Sequence, residues 1–399
     1  MVKETIIKIK AKYINKMRSG NPIVLKEAVM NVNDLQKEGA IIKLVDEKNQ
    51  FIGKGYYGRQ NKGVGWILTY KEAETIDKQF FKKKIDAAIK KREHFYKGEE
   101  TTAFRVFNGE GDGIGGLTIE YFNGYYVINW YSEGIYEFKE YVIEAITESM
   151  NFKGVYQKKR FAADGKYMEE DDFVTGERGE FPLIVKENGV NFAIYLNDGA
   201  MVGVFLDQRD VRKTIRDKYA KGKTVLNTFS YTGAFSVFAA AGGAAKTTSV
   251  DLANRSKSKT IEQFSVNGID HEVQNIIVED VFNYFKYAVR KELKFDLVIL
   301  DPPSFARSKK MTFSAAKDYP KLLKEAIAIT EDNGVVVAST NSAAFDMKKF
   351  KSFIRVAFQE MNESYKIIEE FSLPEDFCTL KEFEEGNYLK VLFIKKTGK

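Results

Sequence analysis

The sequence predicts an α/β protein built in three parts. Strand candidates alternate regularly with amphipathic or capped helices over residues 197–399, and the central ones are continuous apolar runs, as in a parallel sheet covered on both faces. Over residues 1–73, short apolar runs separated by glycine-rich turns predict a small β-rich module. Residues 74–196 show a mixed pattern and predict an α+β middle domain. Because strands and helices alternate over residues 197–399, that part is expected to be an open, doubly wound sheet.

The β-rich module is followed by a helix candidate at residues 76–89, where apolar residues recur at three- and four-residue spacing. The net charge of +6 is mild, so the distribution of the basic residues says more than their number. One cluster crowds residues 8–18, and a second, at residues 82–92, lies on the polar side of the helix candidate. Either cluster alone is most simply a solvated face, but two together favour contacts with phosphates. The strand candidates of this module are Thr5–Ile9, Ala40–Val45 and Gly65–Leu68.

The middle domain is predicted to contain a hairpin, formed by residues 117–121 and 125–130 and closed by the Asn123-Gly124 turn. The glycine-dense segment 108–116 is interpreted as a structural turn, because no helix follows it and the Lys-Ser/Thr ending of a phosphate loop is missing. Residues 169–179 predict an exposed loop or linker.

Seven strand candidates define the C-terminal sheet. The last two leave no room for a ten-residue helix once Pro374 and the Gly386-Asn387 turn are placed, so the final strand is expected to run antiparallel to its predecessor. The helix candidate between the fifth and sixth strands covers Asp346 to about Met361. The strand candidates are Thr224–Phe229, Thr247–Asp251, Asn275–Val278, Asp296–Asp301, Gly334–Ser339, Lys366–Phe371 and Tyr388–Lys395.

Polar groups follow three successive strands of this sheet, at the edge where open parallel sheets bind ligands. Backbone N–H groups of the turn at residues 227–233, which leads into a helix at Ala234–Ala241, suit a carboxylate. Asp251 can accept hydrogen bonds from both hydroxyls of a ribose. Asp280 can bond an adenine amino group while Val281 packs against the ring, although an N-cap is the simpler role for this acid alone. The three ends together favour a nucleoside cofactor, and the missing G-x-G-x-x-G pattern disfavours NAD.

The fourth strand ends in Asp301-Pro302-Pro303-Ser304-Phe305, the most specific signal in the chain. Two prolines end a central strand abruptly and make the following loop rigid. Backbone carbonyls of such a loop, with an aromatic side chain, can hold a base that is turned out of its stack. A strand terminator without a ligand is the alternative interpretation.

Together with Ser249-Val250-Asp251 and Val204–Arg209, these segments resemble the bacterial 23S rRNA large-subunit methyltransferase family, class I enzymes with an N-terminal PUA domain. The similarity extends over nearly the whole chain. It implies a Rossmann-like seven-stranded methyltransferase domain, an RNA-binding PUA-like domain at residues 1–73, S-adenosylmethionine as methyl donor and S-adenosylhomocysteine as product. It implies 23S rRNA or a large-subunit assembly particle as partner, and a homodimer is left open.

The resemblance also implies that Phe205, Gln208 and Arg209 lie near the cofactor, where the charge of Arg209 suits the methionine carboxylate. The candidate cofactor-binding residues are Phe205, Gln208, Arg209, Asn227, Phe229, Ser230, Tyr231, Thr232, Gly233, Asp251, Leu252, Asp280, Val281 and Asp301. The candidate catalytic residues are Asp301, Pro302, Pro303, Ser304, Phe305 and Asn341.

The acceptor atom is where the sequence departs from part of this family. Methylation of cytosine C5 needs a cysteine thiolate that first adds to C6, and Asn341 and Ser304 occupy the two positions where relatives carry that cysteine. The single cysteine, Cys378, lies in the connection between the last two strands, where an inert thiol is the simpler interpretation. The segments 308–311 and 339–341 look closer to a guanine-N7 branch. Guanine N7 is nucleophilic without covalent help, so positioning can suffice.

Composition excludes several other classes. One cysteine allows no intramolecular disulfide, and two histidines make a zinc site or a Ser-His-Asp enzyme improbable, so no metal is expected. No apolar run approaches the ~20 residues that span a bilayer, and no leader pattern is present, so a cytoplasmic protein without membrane contact is expected. Three alternatives stay open: a cytosine-C5 enzyme with a displaced nucleophile, a methyltransferase for a substrate other than RNA, and an inactive ribosome-binding factor.

Overall fold

The computed structural model describes residues 4–60, 63–161, 171–307 and 312–398, which fold into two compact units. Unit 1 comprises Met1–Val185, Ile194–Val202 and Glu375–Gly386. Unit 2 comprises Lys186–Ala193, Gly203–Pro374 and Asn387–Lys399. Within the described ranges, no helix combines the length and the apolar character needed to cross a membrane.

Unit 1 begins with a five-stranded sheet in the order β1-β3-β4-β5-β2. Strand β1 pairs parallel with β3, and the other pairs are antiparallel. Tyr56 and Trp66 stack at 5.6 Å between ring centroids and belong to the core that this sheet shares with the rest of the unit. The β-rich character predicted for residues 1–73 is confirmed. The elements are β1 Thr5–Lys8, α1 Ala11–Arg18, β2 Ile23–Leu25, β3 Ile41–Val45, β4 Phe51–Gln60 and β5 Gly63–Thr69.

A second five-stranded sheet of unit 1 has the order β10-β9-β8-β7-β6. The predicted hairpin is strands β7 and β8, and both Asn123 (φ 48°) and Gly124 (φ 98°) adopt left-handed conformations at its turn. The predicted helix is α2, capped by the side chain of Asp77. The elements are α2 Lys78–Lys91, α3 Glu93–Lys97, β6 Ala103–Asn108, β7 Leu117–Phe122, β8 Tyr125–Trp130, α4 Glu133–Tyr136, α5 Lys139–Ser149, β9 Gly154–Lys159 and β10 Phe173–Gly176.

The loop predicted at residues 169–179 is wrong for its central part. Residues Phe173–Gly176 form strand β10, which pairs antiparallel with β9. The Phe173 ring packs edge-on against Tyr156 at 5.5 Å, so an aromatic contact overrides the acidic, glycine-containing composition that predicted a loop. Two further strands, β11 at Leu183–Glu187 and β12 at Val190–Ile194, form a separate hairpin.

Unit 2 contains the predicted seven-stranded sheet, in the order β15-β14-β13-β16-β19-β21-β20. Six strands run in the same direction, while β21 lies antiparallel between β19 and β20, so the predicted orientation of the last strand is confirmed. The strands are β13 Thr224–Thr228, β14 Lys246–Asp251, β15 Asn275–Val278, β16 Phe295–Leu300, β19 Thr330–Thr340, β20 Ser364–Phe371 and β21 Lys390–Thr397, with a small hairpin of β17 Phe305–Arg307 and β18 Thr312–Ser314.

Helices connect the parallel strands, and buried apolar clusters contribute to both faces of the sheet. Strand order reverses between β13 and β16, which creates the crevice where such sheets hold ligands. The helices are α6 Arg209–Thr214, continued by a π-helical turn at Ile215–Tyr219, α7 Ala234–Ala241, α8 Asn254–Ser265, α9 Val281–Arg290, α10 Ala315–Ala328 and α11 Met347–Glu360.

Candidate functional site

A cavity of about 420 Å³ lies in unit 2 and is lined by residues that follow the carboxyl ends of β13, β14, β15, β16 and β19. This size is in the range of small-molecule sites. Fourteen of the nineteen predicted site residues line it: Phe205, Gln208, Phe229, Ser230, Tyr231, Thr232, Asp251, Leu252, Asp280, Val281, Asp301, Pro302, Pro303 and Asn341.

The turn after β13 has an unusual backbone. Phe229 (φ 54°), Tyr231 (φ 51°) and Gly233 (φ 81°) are left-handed at alternate positions. Bulky residues adopt this conformation rarely, and alternation of right- and left-handed residues turns successive N–H groups toward one concave side. A Cβ at Gly233 would lie 2.5 Å from Cγ2 of Thr260, so α7 begins close against α8. Ser230 N–H donates to the Val250 carbonyl oxygen at 3.1 Å and Gly233 N–H donates to the Ser230 carbonyl oxygen at 2.8 Å, so the N–H group of Thr232 is left for an anion.

The carboxylate of Asp251 is held by the backbone on both sides. Tyr231 N–H donates to Oδ2 and Ala253 N–H donates to Oδ1, each at 2.8 Å. Each oxygen retains a second lone pair, so the group can accept further hydrogen bonds from a vicinal diol. Leu252 is 60% exposed beside it and provides an apolar rim.

Asp280 is the N-cap of α9, because its Oδ1 accepts from Phe282 N–H at 3.0 Å and Asn283 N–H at 3.2 Å. The simpler interpretation of this acid is therefore the structural one. Asp280 nevertheless lines the cavity, next to the buried side chain of Val281.

Asp301 and Gln208 form the polar floor of the cavity. The Gln208 amide donates to Asp301 Oδ1 at 3.0 Å and to Ser339 Oγ at 2.7 Å. Burial and the nearby charge of Asp207 raise the pKa of Asp301 to about 6, while hydrogen bonds from Ser339 and Gln208 oppose the shift. Gln208 is 4% exposed, and its Oε1 has no hydrogen-bond partner among the described residues. An unsatisfied buried acceptor beside a cavity calls for a donor from a ligand.

Five predicted residues do not line the cavity: Arg209, Asn227, Gly233, Ser304 and Phe305. Arg209 is almost fully buried at the start of α6, whereas Arg212, one turn later, lines the cavity and is paired with Glu187 by two hydrogen bonds of 2.7 Å. Asn227 is fully buried and donates to Ser236 Oγ at 3.0 Å.

The loop after β16 carries the remaining candidates. Pro302 is buried and Pro303 is exposed. Ser304 Oγ donates to Asn341 Oδ1 at 2.5 Å, so the two positions at which the resemblance implies a cysteine in cytosine-C5 enzymes are joined by a hydrogen bond. Phe305 is 62% exposed at the start of β17. Residues 308–311, which contributed to the guanine-N7 interpretation, lie outside the described residues.

Cys378 belongs to unit 1 and does not line the cavity of unit 2. Burial raises the pKa of its thiol, and its Sγ lies 3.9 Å from the Glu375 carbonyl oxygen. A thiol with a raised pKa is a weak nucleophile.

Sequence reasoning missed seven lining residues. Three of them, Ala234, Phe235 and Phe282, are within two positions of predicted site residues, so their positions could have been inferred. Two more, Val204 and Asp207, lie in the segment Val204–Arg209 that carried the family resemblance. Phe313 had no such signal, because it reaches the cavity from the small hairpin that sequence periodicity does not reveal. The seven are Val204, Asp207, Arg212, Ala234, Phe235, Phe282 and Phe313.

These groups fit S-adenosylmethionine. The unsatisfied Oε1 of Gln208 suits the ammonium group of the methionine moiety, and the N–H group of Thr232 suits its carboxylate. Asp251 suits the ribose, and the apolar side chains of Leu252, Val281 and Phe282 suit the adenine ring.

Comparison with known proteins agrees with this fit. Residues 111–392 match the model of an S-adenosylmethionine-dependent methyltransferase family, and residues 7–70 match that of a PUA-like domain. A Bacillus subtilis protein with the provisional name ribosomal RNA large subunit methyltransferase YwbD is 60% identical, over 98% of this chain and 99% of that protein. Ribosomal RNA large subunit methyltransferase I of Alteromonas mediterranea is 30% identical over 96% of each chain.

A solved structure, SMU.776, provisionally described as a methyltransferase and complexed with SAH, superposes with a TM-score of 0.90 at 36% identity. The superposition covers 99% of this chain and 100% of that one.

Proposed function

The chain belongs to the S-adenosylmethionine-dependent methyltransferase family, and from this premise we propose that it methylates a base of large-subunit ribosomal RNA, with N7 of a guanine as the acceptor atom. The names of its relatives support the RNA, and the PUA-like match at residues 7–70 supports an RNA-binding role for the N-terminal module. An rRNA substrate, or an assembly particle that contains it, would place the enzyme in the cytoplasm.

The hydrogen bond between Ser304 and Asn341 is the observation that carries the choice of acceptor atom. Cytosine C5 needs a thiolate at this end of the cavity, and the chain's single cysteine is a residue of unit 1. Guanine N7 carries a lone pair and loses no proton when it is alkylated. The reaction then requires alignment of donor and acceptor, without a nucleophile or a base from the protein.

When bound, S-adenosylmethionine supplies a methyl group on a positively charged sulfur. In the proposal, Asp251 would accept from the ribose, Gln208 Oε1 would accept from the ammonium group, and the N–H group of Thr232 would donate to the carboxylate. The apolar side chains of Leu252 and Val281 would hold the adenine. The loop after β16 lines the same cavity and is the part of the site left for the acceptor base.

The acceptor side is assigned to the loop at residues 301–305 and to Asn341. The two prolines fix the backbone, Phe305 offers its exposed ring for stacking, and Ser304 and Asn341 offer hydrogen bonds to the base edge. Alkylation at N7 leaves the purine positively charged. The carboxylate of Asp301 favours that charge, which is an electrostatic contribution to the transition state.

The proposal is tested by mass mapping of ribosomal RNA from a strain that lacks the gene. We expect one 7-methylguanine of the large-subunit RNA to disappear and the purified protein to restore it, while Asp301→Ala restores none. Loss of a 5-methylcytosine instead would mean a displaced nucleophile, for which Cys378→Ser is the diagnostic variant.

A transfer assay with labelled S-adenosylmethionine and the purified protein separates the remaining alternatives. Transfer of a labelled methyl group to peptides or free nucleosides but not to ribosomal RNA would point to another substrate. Binding of RNA and cofactor with no transfer to any acceptor would point to a ribosome-binding factor.

A further inference from the structure

A second cavity, of about 770 Å³, lies in unit 1 and shares no lining residue with the cavity of unit 2. Its walls come from the end of β5, from α2, from the glycine-rich turn before β7, and from Leu380 and Glu382 of the C-terminal segment of unit 1. The cofactor site described above uses none of these residues. The kind of ligand that this cavity can bind therefore depends on its own side chains.

Four lysines line this cavity: Lys71, Lys83, Lys84 and Lys91. Lys91 pairs with Asp112 at 3.0 Å, whereas the described residues place no carboxylate within 4.0 Å of the ammonium groups of the other three. Burial lowers the pKa of Lys84, and although Glu74 opposes the shift, the charges of the other three lysines add to it. Mutual repulsion of this kind would be relieved by a bound anion.

Most carboxylates of the same walls already have partners. Glu110 accepts from Trp66 Nε1 at 2.8 Å, Asp112 accepts from the buried Arg92 at 2.7 Å, and Glu74 accepts from the Thr69 hydroxyl. The lining holds four carboxylates as well as four lysines, but Asp112 is paired with Arg92 and Lys91, and Lys71, Lys83 and Lys84 have no carboxylate of the described residues within 4.0 Å. These three lysines are the positive groups that face a ligand.

The glycine-rich turn leaves space for the side chains of Lys84 and Trp66. Gly113 has φ +90°, and a Cβ there would lie 2.7 Å from Nζ of Lys84. A Cβ at Gly115 would lie 1.9 Å from the Trp66 ring. These glycines, which the sequence left as structural turns, allow the backbone to pass close to the ammonium group and the indole.

The cavity is also lined by an aromatic side chain, Tyr70. Tyr70 is 43% exposed, and its hydroxyl donates to the Asn21 carbonyl oxygen at 3.3 Å, which restrains the ring. Burial and the nearby charge of Glu382 raise the pKa of Tyr70 to about 12, so the ring stays neutral at any working pH. A flat neutral ring beside a carboxylate suits a base with an amino group, because the base can stack and donate a hydrogen bond.

We propose that this cavity binds a nucleotide of single-stranded RNA, with the base stacked on Tyr70 and the phosphates held by Lys71, Lys83 and Lys84. The inference rests on the proposed function, since it supposes that RNA is the substrate. It adds a second recognition point within unit 1, at which the RNA is held by its backbone and by one unpaired base.

The test measures binding of a fluorescein-labelled single-stranded RNA to the full chain over a range of salt concentrations. Replacing all three lysines by glutamine should lower the slope of log Kd against log salt by about 2, since each phosphate contact on a single strand contributes about 0.7. Tyr70→Leu should weaken binding about 5- to 150-fold, the effect of one stacked base, while Tyr70→Phe should stay close to the wild type.

Lys90→Gln is the matched control, because Lys90 is an exposed lysine of α2 that does not line the cavity. It should bind as the wild type does. Thermal unfolding and SAH binding of every variant should match the wild type, which excludes misfolding as the cause of lost RNA affinity.

The outcomes separate this inference from the proposed function. If the wild type binds and methylates ribosomal RNA and the Tyr70 and lysine variants do so equally well, the cavity is not an RNA site and the proposed function stands. If the wild type binds no RNA, the proposed function fails together with this inference. If polyglutamate of equal charge displaces the RNA as well as unlabelled RNA does, the lysines are a general anion site and the nucleotide assignment is wrong.

Discussion

At the residue scale, the ionised carboxylate of Asp301 lowers the stability of the fold but supplies a negative charge to the cofactor site. Its ordinary pKa of 3.8 rises to about 6 because burial and Asp207 disfavour the ionised form. A group whose pKa is higher in the folded state stabilises the protein below its unfolded pKa, and that contribution is lost as pH rises through the folded value. At neutral pH the carboxylate therefore destabilises the fold, and its charge is available to the reaction.

We predict that Asp301→Asn is more stable than the wild type at pH 8, by up to about 3 kcal/mol, and that the difference largely disappears below pH 4. Methyl transfer by the wild type should fall as pH drops through about 6, because the carboxyl becomes neutral, and the variant should have little activity at any pH. Thermal unfolding and methyl transfer measured at several pH values check both statements.

Asp296→Asn is the control of opposite sign. Burial raises the pKa of Asp296, but hydrogen bonds from Thr224 and Lys223 outweigh burial and leave it below its ordinary value. This variant should be less stable than the wild type at pH 8, and the difference should shrink as the pH falls below the ordinary pKa of 3.8. If both variants shifted stability in the same direction at pH 8, the account of Asp301 would be wrong.

At the scale of single elements, the turn between β13 and α7 is the most constrained segment of the site. Phe229, Tyr231 and Gly233 all have positive φ, and Gly233 also approaches Thr260 of α8. Strained backbone of this kind persists where its surroundings enforce it and is common at ligand sites. The helix start and the cofactor turn thus depend on one another.

Gly233→Ala is predicted to cost about 2–4 kcal/mol of unfolding free energy, because it combines a left-handed conformation with a steric clash. It should also weaken SAH binding.

Gly222→Ala is the matched control, since Gly222 has φ +71° and a Cβ there would meet nothing within 4 Å. It should cost about 1 kcal/mol and leave SAH binding unchanged. Denaturant unfolding and calorimetry would check this, and equal costs for the two variants would contradict it.

The elements that the sequence predicted are those with a clear local pattern of apolar residues. All seven strands of the large sheet were predicted, because continuous apolar runs such as Leu297–Leu300 repeat between amphipathic helices. Strand β10 and the β17–β18 hairpin were not, because each strand is only three or four residues long, too short to show a period. The cavity follows from strand ends and was largely predicted, whereas Phe313 and Arg212 reach it through tertiary packing.

At the scale of the whole molecule, the chain passes between its two units several times. Residues Glu375–Gly386 follow β20 of unit 2, yet they belong to unit 1, and the chain then returns to unit 2 for β21. Within unit 1, the buried Arg92 donates to the Asp376 carbonyl oxygen at 2.6 Å, and Asn108 donates to that of Cys378 at 2.8 Å. Both units therefore need residues from the end of the sequence.

A chain that ends at Pro374 is accordingly expected to lose cooperative unfolding in both units, because it lacks β21 and leaves the Arg92–Asp112 pair without its carbonyl partner. A chain shortened only by residues 398 and 399 retains β21 and should unfold as the wild type does. Calorimetric unfolding of the two purified proteins makes the comparison. An intact transition in the Pro374 chain would show that one unit folds without its C-terminal residues.

This late return of the chain has a consequence for synthesis in the cell. Proteins are made from the N-terminus, and domains usually fold as they emerge. Here unit 1 needs residues 375–386 and unit 2 needs β21, so neither unit can be completed until these residues have left the ribosome. A product of premature termination would therefore remain unfolded and be removed by proteases, and it would not persist as an inactive competitor for the substrate of the finished enzyme.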